Sequence, residues 1–399
     1  MVRAMHATDL PPPSPESLAA SALLVARLRA EIESQGSISF ARYMARALYE
    51  PGLGYYSSGR VLLGPRGDFV TSAELGSLYA RCLARALAPV LKTLEAPEVL
   101  EIGPGSGAFA ADFAEALLAE GVPLARYHLI EVSPALRERQ IATLEHRVPG
   151  LMPRMSWLAE PPTQGWEGVL VANEVIDALP VRVHAGREAG LVERRVVLDG
   201  GGLGVAEQPA DAELIAAVAA MDEARGGTWP LGQIGETRPG LAAFVHRISA
   251  RLLRGLVVFA DYGDSAAELS DPRRHAGTLV AHYRQRVLND PFWNPGLCDL
   301  TASVDFSALA AALRDAGLDL CTYAHQASFL IAAGLGDIVG ELDTLPERER
   351  LKLTREIKLL TLPGEMGERF KLMIASRGLD PEALPEALTL PGQRHRLQA

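Results

Sequence analysis

Three glycines at alternate positions, Gly103, Gly105 and Gly107, follow the apolar run Val99–Ile102, and an acid, Glu101, sits near the end of that run. A short apolar stretch bounded by glycine reads as a buried strand. The stretch after it, "GAFAADFAEALLAE", repeats Phe109, Phe113 and Leu117 every fourth residue and reads as a helix. Glycine allows the tight strand-to-helix turn and a close ligand approach where a Cβ would collide. A strand that passes through such glycines into a helix belongs to the open α/β class. There, ligands bind beyond the carboxyl ends of strands, where the strand order reverses.

The alternation continues. "RYHLIEV" is a second strand and "SPALRERQIATLEHR" a helix, with Ser133 as N-cap and Pro134 at its first position; "MSWLAE" is a short strand and "WEGVLVANEV" another buried one. This pattern predicts a doubly wound, mostly parallel sheet with helices on both faces. Residues 1–15 are Pro-rich and expected to be disordered. Residues 16–95 read as a helical arm that carries a Gly-rich loop, Gly52–Leu75. From Val181 the pattern becomes antiparallel, with strands in "VRVHAG", "LVERRVVLDG" and "LGVAEQ". The division expected is therefore an arm (16–95), a catalytic domain (96–180 and 250–399) and an inserted α+β lid (181–249). The strand "GLVVFADYG", a helix from Asp305 to Ala316, a strand near "LDLCTYAH" and a final strand "RFKLMIAS" complete the sheet.

Composition excludes several classes. A formal net charge of −10 over 399 residues argues against nucleic acid as a partner, since a polyanion binder shows a basic stripe. The three cysteines, Cys82, Cys298 and Cys321, are far apart, and no histidine spacing matches a metal motif, so no metal is expected. No apolar run reaches membrane-spanning length, and the first residues carry no secretory pattern. These features read as a cytoplasmic enzyme without a membrane partner. The inserted region offers a surface through which a homodimer could form.

Two cofactors suit the glycines. The dinucleotide fingerprint is met by Gly103, Gly105 and Ala108, but its acid is expected about 20 residues on. The available acid, Glu131, lies further away, at the end of "HLIEV". S-adenosylmethionine (SAM) carries no phosphate. It needs a thin loop beneath its methionine portion, an acid near its ammonium group and a carboxylate for its ribose. Glu101, Gly103, Gly105 and Gly107 fit the first two needs and Glu131 the third, with Trp157 or Leu158 placed against adenine. The pattern favours SAM, with the nicotinamide dinucleotide as its rival.

The stretch "VANEVIDALPV" leaves the fourth strand at Asn173 and Glu174, followed by Asp177. Two carboxylates three residues apart share one side of a helical turn. There they would grip two N–H groups of a planar cation and take a proton from it. Equally, they would cap the positive end of a following helix. Tyr55 and Tyr56 have two readings as well, acceptor entrance or local packing. Asp261-Tyr262-Gly263 reads either as a substrate contact or as a plain turn.

With these blocks in place the chain resembles the MidA-like methyltransferases, a family that includes the mitochondrial complex I assembly factor that methylates an arginine. The resemblance runs from about Ile38 to Met373. It rests on "FARYMARALYEPGLGYY", "GPRGDFVTSAEL", "VLEIGPGSG", "ANEVIDALPV", "DYG", "DLTASVDFSAL" and "LPGEMGERFKLM". It implies a class I, Rossmann-like SAM-methyltransferase fold with SAM contacts at Gly103, Gly105 and Glu131, and further contacts at Asp68, Phe69 and Thr71. It also implies an acceptor pocket near Asn173, Glu174 and Asp177, and a protein partner with an exposed arginine, as in complex I assembly. Ala73 stands where proline is common in the family, and Gln285 and Ser303 stand where histidine is expected. A small-molecule methyltransferase and a non-catalytic assembly factor of the same fold are the two other readings.

Overall fold

The structure is a computed structural model and describes residues 10–59, 75–340 and 345–397. Its central sheet is built from β1 (Glu98–Ile102), β2 (Arg126–Ile130), β3 (Met155–Leu158), β4 (Trp166–Asn173), β5 (Leu252–Asp264), β6 (Asp319–His325) and β7 (Phe370–Arg377). The spatial order is β3-β2-β1-β4-β5-β7-β6. Strand β7 runs antiparallel to both neighbours and the other pairings along β3 to β5 are parallel. Val304–Asp305 adds a short parallel extension beside the end of β5. This is the doubly wound sheet that the sequence predicts. The chain builds outward from β1 through β2 to β3, then crosses back to lay β4 on the other side of β1. The carboxyl ends of β1 and β4 therefore flank the reversal point.

Both faces of the sheet are covered, which is why its strands are apolar at successive positions. In β1, Val99 faces one core and Leu100 and Ile102 the other. The first core holds α3 (Leu78–Leu91) and α4 (Ala108–Ala119), where Phe109 and Phe113 stack with ring centroids 5.1 Å apart. The second holds α7 (Leu241–Ser249) and α8 (Phe306–Asp315) through Phe244, Ile248, Phe306 and Leu309. Helix α7 packs on the sheet although it falls inside the range 181–249 expected for the insertion, because its buried residues repeat toward β4 and β5 rather than toward the antiparallel strands. All three cysteines are buried.

A third core joins the arm to the insertion. Helices α1 (Pro15–Gln35) and α2 (Phe40–Tyr49) bring Leu24, Leu28, Tyr43 and Leu48 against Val183 and Val196 of the inserted strands. Those strands, Arg182–Arg187, Gly190–Asp199, Gly202–Pro209 and Ile234–Thr237, pair antiparallel, and Ile38–Ser39 of the arm adds a further strand beside Arg195 and Val196. A small antiparallel sheet of Val280–Tyr283, Arg286–Leu288 and Asp299–Thr301 closes the same layer; nothing in the residue pattern flagged it. Arm, insertion and small sheet thus form a cap over the carboxyl edge of the central sheet. Among the described residues no helix is long and apolar enough to cross a membrane.

Candidate active site

The loop after β1 sets the floor of the site. Gly103, Gly105 and Gly107 all have left-handed φ values of 66°, 55° and 81°, a region that residues with a Cβ rarely enter. At Gly107 a Cβ would also stand 3.2 Å from Gln140 Cα, so α5 (Pro134–Arg147) could not approach as closely. Gly107 N–H donates to Pro104 O at 2.8 Å and the residue ends the turn as the N-cap of α4. A cavity of about 410 Å3 opens above this loop, in the range of small-molecule sites of about 300–1,000 Å3. Glu101, Gly103, Gly105, Glu131, Asn173 and Glu174 all line it.

Three anticipated residues lie elsewhere. Gly107 shapes the loop without lining the cavity. Leu158 is absent from the wall; its carbonyl accepts Glu131 N–H at 3.1 Å, and the strand's exit brings Ala159, Glu160 and Pro161 to the cavity instead. Asp177 is absent from the wall as well. Asp68, Phe69, Thr71 and Ala73 lie outside the described residues.

Glu101 is buried, and Tyr127 Oη donates to its Oε2 at 2.6 Å. Burial pushes its carboxyl up to about 7, with the tyrosine bond pulling the other way. A ligand cation at the cavity wall would restore its charge. Glu131 is also buried, and burial raises its carboxyl above the usual range. Ser133 N–H donates to Oε1 at 2.7 Å and Gln140 Nε2 to Oε2 at 3.0 Å, both favouring ionisation. Each oxygen keeps acceptor capacity for a ligand hydroxyl.

Gln140 is a residue that the sequence reading passed over. Its side chain is fully buried; Nε2 donates to Gly105 O at 2.9 Å and to Glu131, while Oε1 accepts from Trp157 Nε1 at 3.0 Å. Trp157 is thereby held against the core that carries α4 rather than spread over the cavity.

The adjoining wall follows β4, which pairs with β1. Glu174 has φ 53°, a left-handed conformation that costs a residue with a Cβ about 1–3 kcal/mol and is found at functional sites. Its N–H donates to Ala260 O at 2.8 Å. This kink takes the chain off a helical path, so the i, i+3 argument for Glu174 and Asp177 does not apply. Glu174 lines the cavity, whereas Asp177 enters a buried cluster with Asp261 and Arg238. Burial pushes Asp177 up to about 6 against the pull of the Arg238 guanidinium. No helix follows for these acids to cap; Asp261 Oδ2 instead accepts the N–H groups of Ile176 (3.0 Å) and Asp177 (3.1 Å). Asp261 thus anchors the turn that follows β4 and does not line the cavity.

Arg238 follows the last inserted strand and locks that turn from the other side. Its Nε donates to Ile176 O at 2.9 Å and its Nη1 to Ser303 O at 2.8 Å, with a further bond to Ala302 O. Ser303 thus contributes its carbonyl to this clamp, while Gln285 sits in a hairpin turn with φ 62°; neither lines the cavity. Tyr55 is a packing residue in the third core. Tyr56 lines the cavity, stacked on Tyr49 with centroids 5.7 Å apart, and Tyr56 Oη donates to Asp299 Oδ1 at 2.8 Å. Phe244 and Arg247 of α7 complete the rim.

A left-handed glycine floor, a buried acid whose charge a cation would restore, and a second acid with acceptor capacity to spare suit SAM, which carries no phosphate, better than a dinucleotide. Residues 82–324 match the family described as "Putative S-adenosyl-L-methionine-dependent methyltransferase". A Burkholderia thailandensis protein solved with S-adenosyl-homocysteine bound is 42% identical, with TM-score 0.90 over 96% of this chain and 98% of that one. The protein named "Protein arginine methyltransferase NDUFAF7, mitochondrial" of Homo sapiens is 29% identical, covering 87% of this chain and 82% of that protein. Its Drosophila melanogaster homologue is 28% identical, covering 89% and 85%. On this fold, this cavity and these relatives, the chain belongs to the MidA-like family of SAM-dependent methyltransferases.

Proposed function

We propose that this enzyme N-methylates an arginine of a protein partner, a respiratory-chain complex I subunit being the first candidate that the family resemblance suggests. The observation that carries the reading is Glu174, a carboxylate on a strained left-handed backbone that lines the same cavity as the glycine loop, Tyr49 and Tyr56. The cofactor supplies an electrophilic methyl group on a sulfonium. The enzyme's task is to hold the acceptor nitrogen in line and away from water. Glu174 Oε accepts the proton that the guanidinium nitrogen loses as its bond to the methyl carbon forms and the carbon–sulfur bond breaks, its electron pair staying on sulfur in the departing S-adenosylhomocysteine; Asn173, whose Nδ2 donates to Glu174 Oε1 at 3.4 Å, steadies that carboxylate. Tyr49 and Tyr56 give a flat guanidinium an aromatic wall. The names of the curated relatives support the protein-arginine reading.

The test is to incubate the enzyme and methyl-labelled SAM with cell extract separated into macromolecular and small-molecule fractions. Label in protein supports the proposal. Label confined to the small-molecule fraction replaces it with a metabolite methyltransferase.

A further inference from the structure

We infer that Gln140 is a positioning residue for the cofactor's ribose, acting through Glu131. The inference rests on the assignment of Glu131 as the ribose carboxylate.

The orientation of the Gln140 amide is fixed by its neighbours' chemistry. Trp157 Nε1–H can only donate, so the amide oxygen must face it; Gly105 O and the Glu131 carboxylate can only accept, so the amide nitrogen must face them. Both amide hydrogens and the amide oxygen are then used, inside a site where the side chain has no exposed surface. Gln140 thus joins the glycine loop, the second strand-end acid and β3 through one side chain.

The consequence lies at Glu131. Ser133 N–H pins Oε1 and Gln140 pins Oε2, so the carboxylate plane is held at both oxygens and each keeps a lone pair for one of two neighbouring hydroxyls. Without Gln140 the carboxylate loses its side-chain donor and is held only by the backbone N–H groups of Val132 and Ser133, next to it in the chain. A vicinal diol, which needs both oxygens at fixed spacing, feels that loss. A ligand lacking the diol does not. Gln140 also ties this carboxylate to the loop under the methionine portion, so the two halves of the cofactor site share one anchor.

The experiment measures binding of S-adenosylhomocysteine and of its 2′,3′-dideoxy analogue by calorimetry to wild type, Gln140→Met and Gln140→Glu. The first variant keeps length and removes all polarity. The second keeps shape and the acceptor for Trp157 but leaves at most one proton, shared between two carboxyls, in place of the two amide N–H donors, and it decides the matter if the first does not fold. Loss of a hydrogen bond to a charged group predicts that S-adenosylhomocysteine weakens by about 10-fold or more while the dideoxy analogue changes by less than about 3-fold. The preference for the diol thus shrinks toward one. If both ligands weaken together and the preference survives, or if neither weakens, Gln140 is only structural and the inference is overturned. A wild type that shows no preference for the diol overturns the role of Glu131 and the inference with it.

Discussion

Tyr127 on β2 donates its hydroxyl to Glu101 Oε2 on β1 across 2.6 Å, in a place where both side chains are buried. The bond keeps a carboxyl in an apolar core at the edge of the cofactor cavity, where its protonation decides how well it receives a cation.

The pH dependence of cofactor binding follows. Burial places the Glu101 carboxyl at about 7 in the free enzyme, and the ammonium of S-adenosylhomocysteine favours the ionised form. Affinity therefore rises as pH climbs toward about 7 and levels off above, with a slope approaching ten-fold per unit on the acid side. In Glu101→Gln this rise is absent. Because the folded carboxyl holds its proton more tightly than the ordinary value of 4.5, the free enzyme's stability falls, not rises, as pH passes from about 4.5 to 7. Calorimetry and thermal melts across that window check both signs.

Removing the second acid tests the other half of the site. Glu131→Ala should weaken S-adenosylhomocysteine binding by about 1–3 kcal/mol, the usual loss for hydrogen bonds to a charged group. An unchanged dissociation constant would take the ribose role away from Glu131.

What could be read from the residues divides along a physical line. The sheet was legible because strands buried on both faces carry apolar residues at successive positions, as Val169–Ala172 of β4 and Leu256–Ala260 of β5 do. The glycine loop was legible because a left-handed turn under a ligand excludes any side chain at Gly103 and Gly105. Gln140 was hidden, since a polar residue on a helix such as α5 usually faces water, and only the fold brings Trp157 and Gly105 to it. Arg238 was hidden for the same reason: its partners are carbonyls 61 to 65 positions away in sequence. The spacing of Glu174 and Asp177 misled because periodicity presumes helical backbone, and nothing in the residues announces a left-handed glutamate. Two-residue pairings such as Ile38–Ser39 carry too little pattern to be seen.

The two acids of the acceptor turn should separate by assay. Glu174→Gln is expected to lower kcat by about 100-fold or more, the range for losing a general base, while S-adenosylhomocysteine affinity stays within about 3-fold. Asp261→Ala leaves the N–H groups of Ile176 and Asp177 without an acceptor and should destabilise the fold by about 1–3 kcal/mol for each buried group. Denaturant unfolding measures the second effect and single-turnover kinetics the first.

Tyr56→Phe removes the bond to Asp299 and keeps the ring stacked on Tyr49. With the proposed acceptor wall in mind, KM for the protein acceptor should rise by about 3-fold to 10-fold, as for one net hydrogen bond, with the cofactor's dissociation constant unchanged. Equal changes in both constants would place Tyr56 in the framework and not on the acceptor.

The most direct test of arginine methylation is residue-level mass spectrometry of proteins from cells that carry wild-type enzyme or Glu174→Gln. The account predicts methylarginine on a specific partner protein in wild-type cells and unmodified arginine at that position with Glu174→Gln. Equal methylation in both strains, or a modification that maps to a residue other than arginine, would contradict it.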